Sequence, residues 1–162
     1  MSRRALVYLH GFASSPQSSK ARFFGERAAG AGWVYACPDL NQPDFASLTV
    51  SRMIEAVDAA VAACGEGPVA LLGSSLGAFV VLHAAAGRLA RGAIGPVDRL
   101  VLLAPALGLV ANLREELGPA KMAAWERTGR LPVFHHGDDA MRELGWDFMR
   151  DARRYDRPRT HP

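Results

Sequence analysis

The residues with the most chemical content form one pentapeptide, Gly73-Ser74-Ser75-Leu76-Gly77, a match to Gly-x-Ser-x-Gly. Glycines at those two places let a strand turn sharply into a helix and let neighbouring elements approach closely. The central serine is then held in strained backbone with its hydroxyl projecting outward. A serine so placed is a candidate nucleophile for an acyl carbonyl, and the positive end of the helix beginning there favours an anionic intermediate. The flanks fit: an apolar run, Val69 to Leu72, precedes the turn, and an apolar stretch from Ala78 to about Leu89 follows it. A second turn of interest, His10-Gly11-Phe12, closes the first apolar run of the chain, Ala5 to Leu9.

These turns need a scaffold, and the hydrophobic pattern supplies one. Ala5 to Leu9 is a short apolar run without polar alternation, and Trp33 to Cys37, Val69 to Leu72 and Arg99 to Leu103 are three further short strand candidates. Runs of that kind suit strands buried on both faces of a parallel sheet. Between them lie helical stretches: one capped by Ser18 or Ser19 and ended by Gly30 and Gly32, and one from Leu48 to Cys64. The latter places Val50, Met53, Ile54, Val57 and Val61 on one face at helical spacing. Strand, helix, strand, helix, strand, helix, strand predicts an α/β fold, a parallel sheet with helices on both faces. Beyond Ala106 the pattern weakens. Helices are expected around Asn112 to Leu117, Ala120 to Arg127 and Asp139 to Arg153, with Leu131 to His136 either a short strand or an extended loop.

Length and composition exclude several classes. The chain has 162 residues, 49% hydrophobic and 22% charged, enough for one domain with a sizeable core. A formal charge of +3, spread along the chain, gives no footprint for nucleic acid. Two cysteines, Cys37 and Cys64, cannot staple a secreted scaffold and read as small buried hydrophobes. No apolar run reaches the length of a membrane span, and the five apolar residues before His10 are too few for a signal peptide, so a cytoplasmic protein is expected. No phosphate-binding glycine motif is present to support nucleotide binding.

Tyr8-Leu9-His10-Gly11-Phe12-Ala13-Ser14-Ser15-Pro16 with Ser19-Lys20-Ala21, Pro38-Asp39-Leu40 with Pro43-Asp44-Phe45, and Gly73 to Gly77 together resemble small bacterial α/β-hydrolases of the YqiA-like esterase group. The match is good over roughly residues 5 to 105 and looser beyond, where residues 106 to 155 would form a helical cap. One departure is Ala78, where many relatives carry a further glycine. The resemblance implies an ester or thioester hydrolase with a Ser, acid and His triad, acting on a small-molecule acyl ester or thioester without a cofactor or metal. In α/β-hydrolases the residue after the His-Gly turn and the residue after the nucleophile donate their N–H groups to the oxyanion; here these are Phe12 and Leu76. That role asks nothing of the His10 imidazole.

The acid and base are harder to place, since both must follow the serine in the chain. His83 lies eight residues past Ser75 on the same helix, about 12 Å along its axis, and points into helix packing. Asp98 precedes the fourth strand and belongs at the opposite end of the sheet. Asp138 and Asp139, in His135-His136-Gly137-Asp138-Asp139, mimic the segment on which such enzymes often place the acid, but only Val133-Phe134 precedes them as apolar strand. A metal site at His135, His136 and Asp138 is disfavoured because adjacent histidines of an extended chain point opposite ways. His161, the penultimate residue, is the base candidate that remains. The resemblance implies that further strands carrying an Asp and a His would follow Pro162. Without them the sheet keeps an exposed edge, which predicts marginal stability or self-association. Trp125, Trp146, Phe148 and Met149 are expected to pack the cap, with lining of an acyl pocket as an alternative. A non-catalytic binding or scaffold domain on the same fold is the competing reading.

Overall fold

The computed structural model describes residues 3–156 apart from residue 94. Its centre is a four-stranded parallel sheet, β1 (Ala5–Leu9), β2 (Val34–Ala36), β3 (Val69–Ser74) and β4 (Val97–Leu103), in the order β2-β1-β3-β4. β1 and β3 are buried along their whole length, as continuous apolar runs predict for central parallel strands. Three helices make the crossovers: α1 (Ser19–Gly30), α2 (Val50–Ala63) and α3 (Leu76–Ala90). Each of the first two begins on a hydroxyl cap. Ser18 accepts from the Ala21 N–H and Thr49 from the Arg52 N–H. The α2 face predicted from spacing is the buried one, with Val50, Met53, Val57 and Val61 in the core. Burying a side chain of that size is worth about 1.5–3 kcal/mol, so this stripe fixes the helix on the sheet.

The strand order has a consequence for function. From β1 the chain crosses to β2 on one side, and from β3 it crosses to β4 on the other. The connections leaving the carboxyl ends of β1 and β3 therefore diverge and leave a crevice between them, the usual ligand position in open α/β sheets. His10-Gly11-Phe12 and Ser75 stand at those two strand ends. Asp98 lies at the other end, where its carboxylate takes both contacts from Arg4 Nη1 at 2.9 and 2.7 Å.

Past β4 the structure departs from the sequence expectation in one element. The helix α4 (Leu109–Thr128) is broken at Gly118, which sits at φ 72°, ψ 166° before Pro119, so the two short helices expected there are both present. Residues 139–153, however, are not one helix. β5 (Arg130–His135) and β6 (Ala140–Gly145) form an antiparallel hairpin separate from the main sheet, and only α5 (Asp147–Ala152) is helical. Leu131 to His135 is thus strand, though not of the parallel sheet, and His136 begins the hairpin turn. Trp125, 1% exposed, donates its indole N–H to the Leu144 carbonyl at 3.0 Å and meets Trp146 edge-on, tying α4 to the hairpin. Gly145 lies against the Ala46 carbonyl, and Phe148 packs on Phe12, so hairpin and α5 rest on the loops that leave β1 and β2. The edge of β4 away from β3 carries no strand among the described residues, and Leu100 and Val101 on it are 43% and 41% exposed. Among the described residues no helix is long and apolar enough to cross a membrane.

Candidate active site

Ser75 has φ 53° and ψ −116°, a positive φ outside even the left-handed helical well. A non-glycine residue pays about 1–3 kcal/mol for such backbone, and persists there only when its surroundings over-determine it. They do. The Ser75 N–H donates to the Leu103 carbonyl of β4 at 2.9 Å, and its carbonyl accepts from Ala78, Phe79 and Ala106 at 3.0, 3.1 and 3.3 Å. The side chain itself is exposed, and no histidine or carboxylate among the described residues hydrogen-bonds to it.

Both flanking glycines are required by contact. A Cβ on Gly73 would lie 2.4 Å from the Gly77 carbonyl oxygen and 2.5 Å from Ala78 Cα. A Cβ on Gly77 would lie 2.2 Å from the Leu9 carbonyl oxygen and 2.5 Å from that of His10. The start of α3 is thereby pressed onto the end of β1, which brings the two turns together. Gly11 is at the junction, its Cβ direction ending 3.6 Å from Ser75 Cβ. Leu76 N–H, first in α3, has no intrahelical acceptor, and Phe12 N–H makes no backbone hydrogen bond among the described residues.

The His10 ring is occupied elsewhere. Nε2 accepts the Leu40 N–H at 3.0 Å, so Nδ1 carries the proton and donates to the Gly11 carbonyl at 2.9 Å. Burial pushes His10 below its ordinary value, against the upward pull of the Gly11 carbonyl and Asp39. Asp39 Oδ1 stands 3.5 Å from Nε2, but with the ring neutral this is not an ion pair. The imidazole clamps the β1 turn to the loop after β2, a long-range role no local pattern discloses.

A hollow of about 300 Å³ opens on Ser75, with Tyr8, Gly11 and Phe12 at its base and Ser14, Ser19 and Lys20 on its rim. Burial pushes the Tyr8 phenol upward, so it is neutral. Lys20 belongs to the Ser19-Lys20-Ala21 segment that carries the resemblance, but no residue pattern assigns it a role; its place on this hollow comes from its position at the start of the helix that leaves the β1 turn.

The structure does not bring the acid candidates to this hollow. Asp138 and Asp139 occupy the hairpin turn, where Asp139 has φ 51°. Asp138 takes Arg142 Nε at 2.8 Å and lines a different hollow of about 620 Å³ with Asp39, Asp44 and Glu143. His135, the last residue of β5, is buried, and His136, in the turn that follows, is exposed. His135 Nδ1 accepts the Asp138 N–H at 3.1 Å. His83 packs between Phe79 and Tyr155. His161 lies outside the described residues. Phe148 and Met149 are fully buried in the core, which makes them packing residues. Cys37 and Cys64 are half-buried rather than buried, and burial raises the Cys37 thiol to about 11, so it is protonated.

The profile of the uncharacterised protein family UPF0227 matches residues 5–151. The chain belongs to that family. No curated protein matches it. Among solved structures, this UPF0227 chain is similar to a protein of Agrobacterium vitis S4 provisionally named a hydrolase, with a TM-score of 0.78 and 24% identity over 94% of this chain. It is also similar to mouse alpha/beta hydrolase domain-containing protein 10, at TM-score 0.70 and 23% identity over 93% of this chain. A third is Est1E of Butyrivibrio proteoclasticus with bound ferulic acid, at TM-score 0.70 and 18% identity over 93% of this chain. The chain spans 61% of the length of each of these three proteins. The parallel sheet and its helices are thus an α/β-hydrolase fold.

Proposed function

We propose that this UPF0227 chain carries the nucleophile and oxyanion hole of a serine hydrolase of the carboxylesterase or thioesterase type. The observation that carries the reading is the strained, exposed Ser75 set against Gly11 at the sheet's switch point. Ser75 Oγ attacks the acyl carbonyl carbon and gives up its proton to a base. The carbonyl oxygen becomes an anion between the N–H groups of Phe12 and Leu76, and the alcohol or thiol leaves as the carbonyl re-forms. Water then releases the acid. The two oriented N–H donors contribute most to stabilising the developing charge, about 2.7–4 kcal/mol for one such donor in comparable sites. The ligand bound to Est1E, an aromatic acid, fits a substrate that is a small acyl ester or thioester.

The base is the missing part. Among the described residues no histidine hydrogen-bonds to the Ser75 hydroxyl, so activated esters are expected to turn over slowly. Hydrolysis of p-nitrophenyl butyrate by the wild type and Ser75→Ala tests this: a low rate, lost in the variant, supports the reading, and a rate equal in both contradicts it. The same gap favours a second reading, a non-catalytic binding domain on this fold. A ligand whose binding survives Ser75→Ala, with no acyl transfer to the wild type, would favour that alternative. A cytoplasmic location and self-association through the β4 edge belong to this proposal as well.

A further inference from the structure

The hollow over Ser75 and the hollow of about 620 Å³ beside the hairpin differ in charge. The larger one is lined by the four carboxylates Asp39, Asp44, Asp138 and Glu143, with Arg142 as the one Lys or Arg there among the described residues. Among the described residues the hollow over Ser75 has no carboxylate in its lining, and its one charged side chain is that of Lys20. Lys20 makes no ion pair or hydrogen bond among the described residues, so its charge is not already neutralised. Ser14 and Ser19 stand beside it on the same rim, while the Ser18 hydroxyl is engaged as the cap of α1. Lys20 and Ser19 also border an adjoining apolar hollow of about 380 Å³ formed with Phe23, Phe24 and Leu103.

From this arrangement we infer that Lys20 is a specificity-determining residue, selecting acyl esters that carry a carboxylate beyond the scissile carbonyl. The inference rests on the reading of Ser75 as the acyl site. With the carbonyl at Ser75, a carboxylate on the acyl chain would meet the Lys20 ammonium within the same hollow, and an apolar leaving portion can lie over Phe23 and Phe24. A single flexible ammonium, without a second cation or a guanidinium fork, suits a monoanion rather than a phosphate dianion. In a hollow open to water the attraction is screened, so the preference is a modest one.

The test is binding, which does not depend on turnover. The ¹⁵N-labelled chain is titrated with monomethyl succinate, its neutral counterpart dimethyl succinate, and methyl phosphate, following the amides of Gly11, Phe12 and Leu76. Monomethyl succinate is expected to bind about fivefold tighter than the diester. Lys20→Gln should remove the preference and Lys20→Arg should retain it. Gln and Arg are as good in helices as Lys, and the same spectra report whether each variant is folded. Equal affinity for the two esters, or a preference that persists in Lys20→Gln, would overturn the role of Lys20 while leaving the acyl-site reading intact. Tighter binding of methyl phosphate would overturn the carboxylate assignment. No shift at the three amides with either ester would overturn the acyl-site reading and this inference with it.

Discussion

Replacing Gly77 by alanine puts a methyl carbon 2.2 Å from the Leu9 carbonyl oxygen, about 1 Å inside ordinary contact, and 2.5 Å from the His10 carbonyl oxygen. Neither oxygen is free to retreat. Leu9 is fully buried and paired with β3, and His10 is clamped to Leu40. Either α3 or the β1 turn must shift, and overpacking of that kind costs about 3 kcal/mol when backbone is the obstacle. For a domain of this size that is a fall of about 1–2 M in the urea midpoint. Gly30→Ala is the control, since nothing lies within 4 Å of its Cβ position and it stands at the exposed end of α1. It should gain about 0.5–1 kcal/mol. Equilibrium urea unfolding by circular dichroism measures both. A Gly77→Ala variant within about 0.5 kcal/mol of the wild type would refute the argument that this glycine presses α3 onto β1.

Further expectations concern strain, protonation and the sheet edge. Ser75→Gly should stabilise the chain by about 1 kcal/mol, since relief of a positive φ outweighs the entropy of glycine, while abolishing reaction at this position; thermal unfolding and labelling check the two halves. Because burial holds His10 below its ordinary value in the folded chain, the unfolded chain takes up the proton first as pH falls through 6.5. The contribution of a neutral His10 is therefore complete above that pH and shrinks below it. His10→Gln, which keeps an acceptor for the Leu40 N–H, should flatten the fall in urea midpoint between pH 7 and 5. Val101→Lys on the open β4 edge should reduce self-association in sedimentation velocity; a wild type that is monomeric at every concentration would dismiss that edge as an interface.

The sheet is legible in the sequence because β1 and β3 are continuous apolar runs, and burial on both faces leaves no other use for such segments. The Ser75 turn is legible because its glycines answer to local contacts between β3, α3 and β1. The hairpin is not. Met141, Leu144 and Phe148 recur at helical spacing, but Gly145 ends β6 between them, and the strand is fixed by pairing with β5 and by the Ala46 contact. Gly118-Pro119 marks the break in α4, since a residue before proline avoids helical backbone. The settings of Lys20 and of the His10 clamp are not legible locally, because each acquires its setting from residues distant in sequence, Ser75 for one and Leu40 for the other.

Covalent labelling tests the central claim most directly. Incubation of the chain with a fluorophosphonate probe, followed by peptide mass spectrometry, reads the nucleophile without requiring turnover. Modification confined to Ser75, slow in rate and absent from Ser75→Ala, is the predicted result. Labelling that persists in Ser75→Ala, or none at Ser75 after prolonged exposure, would contradict the account.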